Sequence, residues 1–227
     1  MQLSEATWPD VRARSVLCIP VGSCEQHGPH LPLATDTIIA EALAARLAAR
    51  RPDTVVGPSL TVTASGEHTG FAGTLSIGTE ATATVIVELV RSADWAAGVV
   101  LVNGHGGNRA AVDAAVSVLD AEGRSVLPWW PRIPGSDAHA GRTETSLLLA
   151  VRPDLVRLDR AAGGETAPLP SIADRLRSGG VRAVSANGVL GDPTGATAAE
   201  GAALLQTLAD ELAAAVAEWL VPAGAAR

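Results

Sequence analysis

The stretch Gly98-Val99-Val100-Leu101-Val102-Asn103-Gly104-His105-Gly106-Gly107-Asn108 decides the fold. Its first part is an unbroken apolar run rich in β-branched residues, which marks a strand buried on both faces. A glycine-rich loop follows, and Asn108 to Glu122 then takes up helical spacing. A buried strand, a tight loop and an amphipathic helix form the repeating unit of parallel α/β architecture.

The same alternation extends in both directions. Short apolar runs at Ser15–Val21, Thr54–Val62, Ser125–Trp129 and Val181–Val184 read as further strands. Helical spacing recurs at Asp36–Arg50, Thr79–Ala97 and Thr143–Ala150. A last long helix covers about Thr197 to Leu220, preceded by a turn at Asp192-Pro193-Thr194-Gly195, with Thr197 and Glu200 at capping-box spacing. Gly163 to Pro170 reads as a surface loop. The expectation is one doubly wound α/β domain over residues 1–227, with a mostly parallel sheet and helices on both faces.

Composition narrows the function. The 227 residues are 47% hydrophobic, 18% charged and 3% aromatic, with a formal net charge of -7. Such a chain buries a core rather than staying disordered, and its acidity argues against a nucleic-acid or anionic-membrane partner. All 17 basic residues are arginine and tyrosine is absent, which excludes Schiff-base chemistry, a P-loop lysine and tyrosine acid catalysis. No apolar run approaches the ~20 residues that span a bilayer, and the polar Met1–Asp10 lacks a leader pattern, so a cytoplasmic location is expected. Cys18 and Cys24 read as reduced thiols.

All five histidines fall in expected connecting segments: His27 and His30 in EQHGPH, His68 in SGEH, His105 in NGHGGN and His139 in DAHAG. Loops at the carboxyl ends of parallel strands are where open α/β sheets place their sites. Extended Glu25-x-His27 can present a carboxylate and an imidazole to neighbouring metals, or form a loop salt bridge. Asp36 can approach the same point, or serve only as a helix N-terminal acid. The His105 loop does not fit a dinucleotide pattern, since Arg109 stands where a glycine is required. A metal ligand at His105, oriented through Asn103 or Asn108, is preferred over a phosphate nest. His139 and Glu144 can complete such a ligand set, or belong to an ordinary capped helix.

These blocks resemble the creatininase family of metal-dependent amidohydrolases. The resemblance rests on PVGSCEQHGPHLPL (Pro20–Leu33), Thr35-Asp36-Thr37, VNGHGGN (Val102–Asn108), and His139-Ala140-Gly141 with Glu144-Thr145-Ser146, all in family order. Ala64–Ile77, Asp137–Leu149 and Gly188–Gly201 point to its peptide-cleaving branch in the mycofactocin pathway. The resemblance implies one divalent ion on Glu25, Asp36 and His105, and a second on His27, Asp36 and Glu144, with Asp36 bridging. Zinc and iron are the implied metals, and manganese also suits carboxylate and imidazole donors. His139 is implied as the proton-transfer residue, with Glu67 and His68 either orienting substrate or water, or serving the loop structurally.

The resemblance implies removal of a C-terminal Val-Tyr dipeptide from a small modified precursor peptide. The alternatives are hydrolysis of creatinine or a formamide, a non-catalytic binding role, and a Cys24 nucleophile paired with His27. Creatininase carries a glutamate in the Asn-Gly-His loop where this chain has Gly107, and many relatives have an acid where this chain has Arg142. Arg142, or Arg109, can bind a substrate carboxylate, and a plain surface arginine is the ordinary alternative. Association as a homo-oligomer, commonly a hexamer, is implied by the family alone.

Overall fold

The computed structural model describes residues 1–220; the end of the expected 1–227 domain, residues 221–227, lies outside the described residues. Four parallel strands, β1 (Val16–Val21), β2 (Thr54–Val56), β3 (Gly98–Asn103) and β4 (Val126–Trp129), form a sheet in the order β2-β1-β3-β4. Every residue of β1, β2 and β3 is buried. The helices are α1 (Thr35–Arg50), α2 (Gly78–Ser92), α3 (Arg109–Ala121), α4 (Arg142–Val151), α5 (Leu169–Val184) and α6 (Ala198–Trp219).

Alternate strand residues serve opposite faces, because side chains along a strand point up and down in turn. Val16, Cys18, Val56, Val100 and Val102 pack with α1, α4 and α6. Leu17, Ile19, Val21, Val99 and Leu101 pack with α2 and α3. The expected doubly wound arrangement is therefore present. Strand order reverses between β1 and β3, and the crevice beyond their carboxyl ends is where such sheets hold ligands.

Three expectations are corrected in detail. The run Thr54–Val62 is a strand only to Val56, because Gly57-Pro58 leads the chain out, although Leu60 returns to bridge Val21. This departure also explains a proline in the interior strand β1. Pro20 accepts from the Leu60 N–H, and it lacks a donor on the side that β2 has left. Val181–Val184 is not a strand but the last turn of α5, with Val181 buried against Ile172 and Leu190 in a small separate cluster. Gly180, at φ 67°, breaks that helix internally and hides its periodicity. Finally, the expected capping box on α6 is half formed. Thr197 Oγ1 accepts from the Glu200 N–H at 3.1 Å, but the Glu200 carboxylate turns to Arg142 and Ser146.

Candidate metal centre

The first turn of α1 sits between the ends of β1 and β3, and close packing puts it there. A Cβ on Gly104 would lie 2.5 Å from the Asp36 carbonyl oxygen, so only glycine lets β3 end against α1. Asn108 ties the neighbouring loops together, donating to the Gly22 carbonyl and to Asn103 Oδ1, and accepting from the Ala64 N–H. Asn103 in turn donates to the His105 carbonyl at 2.6 Å. The two asparagines thus hold the His105 backbone rather than its ring.

Inside this frame the expected ligands converge as two triads that share one residue. Glu25, Asp36 and His105 form the first, and His27, Asp36 and Glu144 the second, with donor atoms within 4.8 Å of one another in each. His105 Nδ1 lies 3.1 Å from Glu25 Oε1 and 3.2 Å from Asp36 Oδ2. His27 Nε2 lies 3.1 Å from Asp36 Oδ1 and 3.9 Å from Glu144 Oε2. Asp36 therefore turns one oxygen to each triad. Tetrahedral ligands on a zinc ion, with bonds of about 2.0–2.1 Å, stand roughly 3.3 Å apart.

Two observations test whether the residues fit an ion. Glu25 is fully buried, and neither of its carboxylate oxygens makes a hydrogen bond among the described residues, although the imidazoles of His105 and His68 come within 3.1 and 3.2 Å of Oε1. A buried carboxylate without hydrogen bonds is costly unless a cation meets it, a charged His105 in the metal-free cluster or a bound ion. Each ligand imidazole also has one ring nitrogen on a main-chain carbonyl. His27 Nδ1 donates to the Glu25 carbonyl at 3.1 Å, and His105 Nε2 to the Ala64 carbonyl at 3.0 Å. That leaves His27 Nε2 and His105 Nδ1 for an ion, the orientation typical of metal-binding histidines. With no thiolate in either triad, the donor set suits zinc, manganese or ferrous iron.

Electrostatics in the metal-free cluster follows from the same contacts. Burial opposes charge on His27, but Asp36, then Glu144 and Glu25, reverse this and lift it from 6.5 to about 10. His105 is likewise held well above the usual histidine range, by Asp36, Glu25 and Glu67 acting against burial. Asp36 is held well below the usual carboxylate range by the two imidazoles despite its burial. Burial, with Asp36 and Glu25 nearby, lifts Glu144 to about 7 against the pull of His27. His139 goes the other way. Burial and then its neighbours His27 and His68 hold it well below 6.5, so it stays neutral.

The remaining expected residues divide into two sets. His139 and His68 join the cluster, their rings 4.5 Å apart, with His139 also 4.2 Å from His27. Glu67 reaches over Gly107 to bring Oε1 within 3.4 Å of His105 Nε2, filling space that a side chain at 107 would need. Arg142 and Arg109 lie outside the cluster. Arg142 pairs with Glu200 at 2.9 Å, and Arg109 stacks over Trp130 at 4.9 Å. Cys18 and Cys24 are both free, and Cys24 Sγ faces the Gly73 carbonyl while His27 faces Asp36, so the two make no pair.

Gln26 and His30 were missed as site residues, and the one available signal was their place inside the EQHGPH block. His30 is buried, with Nε2 3.0 Å from Thr145 Oγ1. A cavity of about 160 Å³ opens on the second triad at Glu144, lined also by Gly104, Gly106 and Thr143. It adjoins a larger one of about 1020 Å³, and both are walled by the 136–138 loop. Arg142 and Glu200 line the larger cavity.

The family model described as creatininase, creatinine amidohydrolase, matches residues 4–216. The chain belongs to the creatininase family. Within it, the chain is 50% identical over 215 residues to a mycofactocin precursor peptide peptidase of Mycobacterium tuberculosis, covering 90% of this chain and 85% of the relative. It is 51% identical over 211 residues to the protein of that name from Mycolicibacterium smegmatis, with the same coverage. A creatinine amidohydrolase of Pseudomonas putida is 34% identical over 206 residues, covering 74% of this chain and 78% of that one. Among solved structures, a tryptophan-to-phenylalanine variant of creatininase superposes with a TM-score of 0.84 at 28% identity, over 97% of this chain and 99% of the other. A glutamate-to-glutamine creatininase variant described as Zn-Zn type follows at 0.82 and 27% identity, over 97% and 98%. This creatininase fold has no helix, among the described residues, long and apolar enough to cross a membrane.

Proposed function

We propose that the protein is a dinuclear metal-dependent peptidase that removes the C-terminal Val-Tyr dipeptide from the modified mycofactocin precursor peptide, acting in the cytoplasm as a homo-oligomer of single-domain chains. The observation that carries this reading is the 50% identity to a mycofactocin precursor peptide peptidase, in a chain whose candidate ligands converge in two triads. Glu25, Asp36 and His105 hold one divalent ion and His27, Asp36 and Glu144 the other, each zinc, iron or manganese. When bound, such ions polarise an amide carbonyl and lower the pKa of water from 15.7 to about 7.

The protein's own residues supply the remainder. His139, neutral and buried, takes a proton from the attacking water and passes it to the leaving amine. His68, with Nε2 3.2 Å from Glu25 Oε1, and Glu67 at the solvent edge hold the ligands and water in place. Arg142 is the better candidate for the substrate carboxylate, because it borders the large cavity while Arg109 does not. At about 1020 Å³ that cavity lies at the upper end of the ~300–1,000 Å³ range of small-molecule sites, which suits a peptide better than a small cyclic amide.

Mass spectrometry of the modified precursor peptide, incubated with metal-replete and chelator-stripped protein, tests the reading. Metal-dependent release of a Val-Tyr fragment is the expected result. The 34% identity to a creatinine amidohydrolase supports creatinine, and a formamide beside it, as parallel substrates. Consumption of either with the peptide left intact would replace the peptidase reading with that second one.

A further inference from the structure

Gln26 separates two candidate ligands in sequence, yet its side chain enters a layer of histidines behind them. Its buried carboxamide oxygen accepts from the Gly28 N–H at 2.9 Å, and its Nε2 donates to the Gly188 carbonyl at 3.0 Å. An N–H only donates and a carbonyl only accepts, so these two main-chain groups fix which end of the amide is nitrogen. The same Nε2 lies 2.9 Å from His68 Nδ1 and 3.1 Å from His139 Nε2. One amide hydrogen is committed to Gly188, which leaves one for the two rings.

The main chain of Gln26 decides which ring receives it. His139 Nε2 lies 2.8 Å from the Gln26 carbonyl oxygen, which can only accept, so this nitrogen carries a hydrogen and cannot take another. The remaining amide hydrogen goes to His68 Nδ1, which must then be bare. In a neutral imidazole the second nitrogen has the complementary role. His139 thus presents a bare Nδ1 at 4.0 Å from Glu25 Oε1, and His68 presents an N–H at Nε2, 3.2 Å from the same oxygen.

We propose that Gln26 is a positioning residue, whose carbonyl and carboxamide set His139 and His68 in opposite roles, acceptor and donor, on one flank of Glu25. The consequence for turnover rests on the hydrolase reading, whereas the ring forms do not. A bare His139 Nδ1 can take a proton from water and return it to a leaving amine. The His68 N–H stands 3.2 Å from the Glu25 carboxylate without completing a hydrogen bond to it, and it does not compete for that proton.

The test is a long-range proton–nitrogen NMR correlation on the full-length protein labelled with nitrogen-15 at histidine, with and without added zinc. In the unsubstituted protein both rings carry their hydrogen on Nε2. Gln26→Glu replaces the amide donor with an acceptor, so His68 moves its hydrogen to Nδ1 while His139, held by the main chain, is unchanged. Gln26→Met, which offers neither donor nor acceptor, leaves His68 exchanging between both forms, again with His139 unchanged. Both substitutions lower kcat about 10–100-fold with little change in KM, the usual size for groups that orient a metal site's residues. A hydrogen on His68 Nδ1 in the unsubstituted protein, or a His68 form indifferent to Gln26→Glu, overturns the proposal. Should either variant not fold, the unsubstituted spectrum still decides, and because no substrate is needed a failed peptidase assay does not touch it.

Discussion

Asp36→Asn is the smallest change that tests whether one residue serves both halves of the centre. In the metal-free protein Asp36 Oδ1 lies 3.1 Å from His27 Nε2. At an effective dielectric constant of about 20, opposite charges at that distance attract by ~5 kcal/mol. The rise of His27 from 6.5 to about 10 corresponds to a similar quantity, roughly 5 kcal/mol in favour of the charged ring. Burial works against that rise, and Glu144 at 3.9 Å is a weaker partner, with its side chain 23% exposed. Removing the Asp36 charge therefore lets burial prevail, and His27 titrates at or below 6.5. Since its folded value lies above 6.5, the ion pair stabilises the metal-free fold fully below that pH. The contribution is lost as pH rises through about 10. NMR titration of His27, with elemental analysis of dialysed protein, gives both readouts. The unsubstituted protein should carry two ions per chain, and Asp36→Asn should lose occupancy of both together. A variant that keeps one ion at full occupancy, or whose His27 still titrates near 10, would refute the bridging role.

Metal uptake by the unsubstituted protein should strengthen with pH, because His27 must give up a proton held to about 10 before Nε2 can bind an ion. Between about pH 7 and 9 the apparent affinity of the ion held through His27 should rise roughly tenfold per pH unit for that one proton, and the ion held through His105 should strengthen with pH in the same sense. Calorimetry in buffers of different ionisation heat would register the release, and pH-independent uptake would contradict it. Gly107→Ala would place a Cβ 2.3 Å from His105 Nε2 and 2.8 Å from the Ala64 carbonyl oxygen. It should cost the ion held through His105, with helical circular dichroism unchanged; full metal content in the variant counts against this packing. Arg142→Gln should raise KM about tenfold or more for a peptide ending in a free carboxylate, and not for the same peptide ending in an amide. Arg109→Gln, which removes only a contact over Trp130, should change neither.

Much of this molecule is local, and what is local was legible in the sequence. The runs around Val16–Val21 and Gly98–Asn103 showed as buried strands because a segment covered on both faces must be apolar throughout, whatever covers it. Helices α1, α3 and α4 showed through their spacing, and chain direction alone put the EQHGPH and NGHGGN loops at the strands' carboxyl ends. Where a local rule was interrupted, the reading failed. Gly180 inside α5 masked its periodicity, and Gly57-Pro58 cut short a run that composition extended to Val62.

The sequence by itself determined the class of fold, the kinds of donor available and the chemistry excluded by the absence of lysine and tyrosine. Only the tertiary structure decided that Asp36 turns one oxygen to each triad, and that Glu25 is buried without a hydrogen bond. It also decided that Arg142 meets Glu200, and that the Gln26 amide joins His68 to Gly188. Periodicity reports which face of a segment is buried, but not which distant segment covers it. Hydrogen-bond direction, ion pairing and the position of a cavity depend on a few ångströms between parts of the chain far apart in sequence, and those distances exist only once the layers have packed.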